Sequence, residues 1–321
     1  MTPEVFGRYE LLERVAIGGM GEVFLARHQT LAGVSRFVAV KRMLDVLSSD
    51  EHAVQMFLDE ARLASRLDHQ NVVRIFDLGL ADHRYYLAME FLEGRDMRRI
   101  MGRLARYQWP LPFAFAAKIA ADAAKGLHYA HELTDEDGAS LNVIHRDISP
   151  QNIFVTVQGA IKVVDFGIAK ARSRMAKTLD GMMKGKVAYV SSERIFGQPF
   201  DRRADVFSLG VVLWELSIGR RLFRRDNDVK TMMAIVSSDV PLPTAMNPDY
   251  PPELEAIVMR ALAHEQTHRY QTCRELGDDL NDFMTAAGYV VTPQRLGEWV
   301  KTLFENEPIT IEELSAHGRW G

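Results

Sequence analysis

The residue pattern predicts an α+β chain of two unequal lobes, a small β-rich lobe followed by a larger helical lobe, with a ligand cleft between them. Three observations predict it. The chain has 321 residues, about twice the ~150 of a typical domain. Its first ninety residues alternate as short strands, whereas after Gly94 apolar residues recur mostly at helical spacing. One segment, residues 206–218, is apolar nearly all round and so predicts the central helix of the larger lobe.

The expected elements follow in chain order. Residues 9–16, 22–27, 36–41, 73–78 and 85–90 are β-branched or aromatic runs bounded by Gly, Asp or Asn, and read as strands. One helix, residues 53–67, interrupts them, with Met56, Leu63 and Leu67 near one face and Asp68-His69-Gln70-Asn71 as its terminating turn. Phe115, Ile119, Ala123, Leu127 and Ala130 mark a buried, alanine-rich helix. Two short strands are expected at 152–157 and 160–164, and loops at 134–140 and 241–252. Residues 292–304 place Leu296, Val300 and Leu303 on one helical face, and a further helix is expected at 309–316, running to Trp320. The expected division is a lead-in at 1–8, the small lobe at 9–92, the large lobe at 93–284 and a C-terminal helical extension at 285–321.

Composition removes several function classes. Lys and Arg total 39 against 43 Asp and Glu, a net charge of −4, so no basic excess points to nucleic acid. With 47% hydrophobic and 26% charged residues the chain is neither disordered nor collagen-like. The longest apolar stretch is broken by Ser208, Glu215 and Ser217 and falls short of the ~20 residues of a bilayer span. The first residues lack a basic stretch followed by an apolar run, so no secretory signal is expected. The single cysteine, Cys273, fits a reducing cytoplasm.

The chemistry-bearing residues form ordered groups. Val15-Ala16-Ile17-Gly18-Gly19-Met20-Gly21-Glu22-Val23 lies between two expected strands, and its glycines allow backbone N–H groups to approach phosphate oxygens; a plain hairpin turn is the alternative. Val38-Ala39-Val40-Lys41 ends an apolar strand on an ammonium that needs an anion. Glu60 on the following helix is one candidate, and phosphates are another. Asp147, Asn152 and Asp165 supply three oxygen donors within a short span, in His145-Arg146-Asp147-Ile148-Ser149-Pro150-Gln151-Asn152 and Asp165-Phe166-Gly167. Such donors suit a hard cation such as Mg²⁺ that also holds phosphates.

In these motifs, from about residue 9 to about residue 282, the chain resembles a eukaryotic-type serine/threonine protein kinase of the bacterial branch. The resemblance implies the bilobal protein-kinase fold and an ATP- and Mg²⁺-dependent transfer of the γ-phosphate to serine or threonine hydroxyls of proteins. Residues 15–23 would cover the phosphates, and Lys41, oriented by Glu60, would hold them. Val23 and Ala39 would pack on one face of adenine and Phe154 on the other, with Met89 as the gate behind it. The backbone of Glu90 to Leu92 would bond the adenine edge, and Asp96 would meet the ribose. Asp165 and Asn152 would bind Mg²⁺, and Asp147 would orient the acceptor hydroxyl and take its proton. His145 and Phe166 would be packed spine residues with Ala64 and Ile75, and Gly167 completes their motif. Asp205 would cap backbone N–H groups of the catalytic loop, and Glu193 would pair with Arg269.

The sequence departs from the family pattern in four places. Ala16 replaces a loop glycine, and Ser192 replaces the proline before Glu193. More consequentially, Ser149 stands where the family has a lysine directed at the γ-phosphate, and Lys186 stands where it has a threonine that touches that lysine. The expectation is an exchange, with Lys186 restoring the cation beside Asp147 and Ser149 supplying the hydroxyl. The alternative has Lys186 in solvent and Ser149 capping a turn. A broader alternative is a pseudokinase, a nucleotide-binding scaffold without phosphoryl transfer.

Regulation and partners are also expectations of the resemblance. Arg146 would pair with a phosphate on the activation segment, residues 168–192, where Thr178 and then Ser173 are the candidate phosphosites. Arg172, Arg174, Lys177 and Lys184 would receive that charge. The expected partners are protein substrates and a second copy of the chain for autophosphorylation in trans. The basic stretch from Arg95 to Arg106 reads as a solvated helix face, or alternatively as a docking surface for acidic substrates. His128 and His131 have i, i+3 spacing, but no carboxylate or thiol completes a metal site.

Overall fold

The structure, a computed structural model, describes residues 3–18, 20–29, 35–166 and 186–305. Gly19, Gly167, Ser173, Thr178 and the helix expected at 309–316 lie outside the described residues.

Strands β1 (Glu4–Phe6), β2 (Tyr9–Ile17), β3 (Gly21–Gln29), β4 (Ser35–Met43), β5 (Ile75–Ala81) and β6 (Arg84–Glu90) form one antiparallel sheet in the order β1-β2-β3-β4-β6-β5. Period-2 alternation sends Phe24, Val38, Val40 and Ala88 to one buried face. The Tyr9 and Tyr86 hydroxyls both donate to Asp77 Oδ2, at 3.0 and 2.7 Å, which ties β2 to β5 and curls the sheet. Strand β1 falls in the expected lead-in. Its Phe6 is fully buried, edge-on to Tyr86 at 5.6 Å, and a three-residue strand is too short to show a period.

Helix α1 (Glu51–Ala64) covers the sheet's other face. It starts where Asp50 Oδ1 accepts the N–H groups of His52 and Ala53, at 2.9 and 3.2 Å. Its buried residues are Ala53, Phe57, Ala61 and Ala64, not the expected Met56 and Leu63. The small alanines let the helix approach the sheet closely around Phe57, and Met56 and Leu63 are left only partly buried.

The larger lobe opens with β7 (Gly94–Asp96) and α2 (Met97–Tyr107), then α3 (Phe113–His131). Strands β8 (Ile153–Thr156) and β9 (Ile161–Val163) complete a three-stranded sheet in the order β7-β8-β9. Next come α4 (Ser192–Ile195), α5 (Arg203–Ile218), α6 (Asp228–Val236), α7 (Pro243–Met246), α8 (Pro252–Ala261), α9 (Cys273–Ala286) and α10 (Pro293–Leu303). Helix α5 is buried from Ala204 to Ser217, as its all-round apolarity requires. Helix α7 interrupts the loop expected at 241–252. No helix among the described residues is long and apolar enough to cross a membrane.

Helix α10 packs back on the large lobe, burying Leu296, Val300 and Leu303. Its contact with the β8–β9 turn is backbone to backbone: a Cβ on Gly297 would stand 2.4 Å from the Val157 carbonyl oxygen. Gly297→Leu is therefore expected to destabilise the chain by about 1–3 kcal/mol, the usual cost of overpacking. Thermal melting together with proteolytic release of α10 tests this; an unchanged melt would show that the helix sits more loosely.

Candidate active site

Lys41 stands on β4 opposite Val23 of β3 and Leu87 of β6, so the pairing directs it to the face that α1 covers. Its Nζ lies 3.1 Å from Glu60 Oε1 and 3.2 Å from Asp165 Oδ1. Burial alone would lower the Lys41 pKa, but Asp165 and Glu60 outweigh it and hold the ammonium above its ordinary value. The Lys41 charge in turn holds Asp165 below the usual carboxylate range.

The loop before β8 carries the second half of the site. Asp205, fully buried at the start of α5, accepts the N–H of His145 at 2.7 Å and of Arg146 at 2.9 Å, and also bonds His131 Nε2 at 2.8 Å. Burial would raise its pKa, but the His131 bond outweighs this and holds it low. The His145 ring is fully buried 4.5 Å from Phe166. The Asp147 N–H donates to its Nδ1, so Nε2 donates to the Val164 carbonyl. Burial lowers the His145 pKa, which keeps this tautomer neutral. Arg146 and Asp165 have φ of 67° and 54°, a left-handed backbone that costs a non-glycine residue roughly 1–3 kcal/mol and recurs at functional sites.

Asp147 faces a cation. Lys186 Nζ lies 2.7 Å from Asp147 Oδ2, and its side chain is 19% exposed, so it does not point into solvent. Ser149 differs from the expected exchange: its Oγ is buried with no hydrogen-bond partner among the described residues and caps no turn. Asn152 Nδ2 donates to the Asp147 carbonyl at 2.7 Å, and no described residue bonds the opposite amide oxygen. That oxygen and the half-exposed Asp165 carboxylate fit Mg²⁺ as hard donors. Among the described residues no group of three or more His, Cys, Asp or Glu could hold a metal.

Around the cleft, Val23, Ala39, Leu92 and Phe154 are partly buried, and Met89 is buried beside a narrow void lined by Glu60, Ala64, Ile75 and Phe166. In the glycine-rich turn the Gly18 N–H donates to the Gly21 carbonyl at 2.8 Å, Ile17 is exposed and Met20 is partly buried. Three expected nucleotide residues have side chains committed elsewhere. Val15 is buried in the sheet, Glu22 bonds Arg14 and Arg42, and Glu90 bonds Lys162 at 2.6 Å. Asp96 caps α2 through the Arg99 N–H, and burial raises its pKa.

The Glu193 carboxylate meets Arg269 through two parallel bonds of 2.8 and 3.0 Å. Arg194, which no sequence pattern singles out, donates to the Arg146 carbonyl at 2.7 Å, and both guanidinium groups lie over Phe200. The basic stretch from Arg95 to Arg106 is not a simple solvated face, because the Arg95 and Arg103 guanidinium groups stack on Phe304. His131 Nε2 bonds Asp205, and His128 Nε2 accepts from Arg274.

Comparison with known proteins gives the same picture. The family model described as "Protein kinase domain" matches residues 9–280. Tyrosine-protein kinase MasK of Myxococcus xanthus is 43% identical over 307 residues, covering 95% of this chain and 47% of the relative. Serine/threonine-protein kinase PrkC of Bacillus subtilis is 33% identical over 306 residues, covering 95% and 44%. The chain thus spans about half the length of these curated relatives. The crystal structure of the Mycobacterium tuberculosis PknI kinase domain aligns with a TM-score of 0.64 at 26% identity, covering 88% of this chain and 98% of that one. With the two-lobed fold and the geometry of its cleft, this chain belongs to the protein kinase domain family.

Proposed function

We propose that the chain transfers the γ-phosphoryl group of ATP, with Mg²⁺, to serine and threonine hydroxyls of protein substrates. The observation that carries this reading is the paired arrangement of Glu60, Lys41 and Asp165 on one side and Lys186, Asp147 and Asn152 on the other. Lys41 holds the α- and β-phosphates, and Asp165 with Asn152 holds the metal, which neutralises charge on the phosphates when bound. Asp147 orients the acceptor hydroxyl and takes its proton; Lys186 supplies the cation that Ser149 cannot. Little further chemistry is needed, because the transition state is loose and catalysis is placement plus electrostatics.

Arg146 and Arg194, side by side over Phe200, support receipt of a phosphate from the activation segment, with Thr178 and Ser173 as the sites to examine. Tyrosine as acceptor is the second reading, favoured by the name of the 43% identical MasK. The pseudokinase alternative leaves the full set of ion pairs without a chemical purpose.

Incubation with γ-labelled ATP and Mg²⁺, followed by phosphoamino acid analysis, tests the proposal. Label on serine or threonine, lost on chelation of the metal and in Asp147→Asn, is the expected result. Label on tyrosine alone would select the second reading, and no incorporation into the chain or any added protein would overturn transfer altogether.

A further inference from the structure

We infer that the turn joining α5 to α6, together with the outer face of α6, is a docking surface for substrate segments that carry acidic and apolar residues near the acceptor hydroxyl. This rests on the phosphoryl-transfer reading and names the substrate class of that site.

The turn carries Arg220, Arg221, Arg224 and Arg225, all exposed, and Lys230 follows on α6. The patch borders the acceptor end of the cleft through a chain of contacts. Lys186, on Asp147, immediately precedes the short helical turn Val187–Tyr189, against which α6 packs. At the end of that turn the Tyr189 hydroxyl accepts from Arg221 at 2.6 Å and donates to Glu215 at 2.8 Å.

The nearby carboxylates cancel only part of this charge, since Arg221 is paired with Glu215 at 2.8 Å and Lys230 with Asp226 at 3.0 Å. Glu215 is fully buried and already accepts from Tyr189, Arg221 and the Leu222 N–H. Asp226 pairs with Lys230 at 3.0 Å, and Asp228 lies in the first turn of α6. Arg225 donates to the carbonyls of Leu222 and Arg224, and Arg220 forms no ion pair among the described residues. One turn apart on the outer face of α6, Val229 and Met233 are 58% and 66% exposed. In a chain of net charge −4, a local cluster of cations beside an apolar pair complements an acidic, partly apolar segment. The arginines of β7 and α2 fit this role less well, since Arg95 and Arg103 are engaged with Phe304.

Two synthetic peptides test the inference, identical around one acceptor hydroxyl except that Asp and Glu in one are Asn and Gln in the other. The expected kcat/KM favours the acidic peptide by about tenfold at low salt, a preference that shrinks as salt screens it. In the Arg220→Glu, Arg225→Glu double variant the ratio falls to about one or inverts, while the KM for ATP stays unchanged. Equal kcat/KM for the parent chain, or a preference retained in the double variant, would overturn the inference. Fluorescence anisotropy of labelled peptides without an acceptor hydroxyl gives a readout independent of catalysis. Selective binding that the double variant loses, without transfer to any hydroxyl, would uphold the docking surface and overturn the transfer reading. Binding that ignores peptide charge, with transfer to a hydroxyl retained, would do the reverse.

Discussion

Lys186→Ala is expected to lower kcat by about 10²–10³-fold, the usual cost of removing one preorganised group that stabilises transition-state charge. The residue is within hydrogen-bond reach of Asp147 at 2.7 Å, and its charge helps to hold Asp165 below the usual carboxylate range. On the phosphoryl-transfer reading, a cation bound to Asp147 stands where the γ-phosphoryl group passes. The KM for ATP should change little, because Lys41 and its two carboxylates are untouched. Steady-state kinetics with a melting control checks this. A loss below about threefold would place Lys186 outside the transfer geometry.

The second large effect falls on stability. Arg269 is 1% exposed, forms two parallel bonds with Glu193, donates to the carbonyls of Ala263 and His264, and lies over the Phe207 ring. Arg269→Ala leaves the Glu193 carboxylate buried without its partner, which costs about 3–5 kcal/mol. Lysine should not rescue it, since an ammonium cannot reproduce the two parallel bonds. The pH dependence has a definite sign. Burial alone would raise the Glu193 pKa, but the bonds from Arg269 outweigh it and hold the group below its ordinary 4.5. The stability so gained is complete above about pH 4.5 and is lost as pH falls through the lowered pKa. The difference between parent and variant should therefore be largest near neutrality and shrink on acidification. Urea melts at pH 7 and pH 4 measure it, and equal midpoints at pH 7 would contradict the assignment.

The long elements were legible in the chain because their periods are strong: α5 is apolar on every side, and α10 shows Leu296, Val300 and Leu303 at helical spacing. Strands β1 and β7, at three residues each, are too short to display a period. The buried face of α1 is not legible in the chain, because Ala61 and Ala64 bury little area yet decide how closely a helix can approach a sheet. Within the site, Lys41, Glu60, Asp147, Asn152 and Asp165 were legible because their motifs are ordered and specific. The approach of Lys186 to Asp147 was legible only as a pair of departures, and the solitary Ser149 hydroxyl was not legible at all. Arg194 over Phe200, and Arg103 bonded to the carbonyl of Leu303, are tertiary contacts between distant segments that leave no local signature.

The central claim is that the cleft holds a complete phosphoryl-transfer site whose second cation enters from position 186 rather than position 149. The most direct measurement is the single-turnover transfer rate of Ser149→Lys combined with Lys186→Thr, set beside Lys186→Ala and the parent chain. The account predicts that the double variant recovers to within about tenfold of the parent while Lys186→Ala remains far below both. A double variant no faster than Lys186→Ala would contradict it.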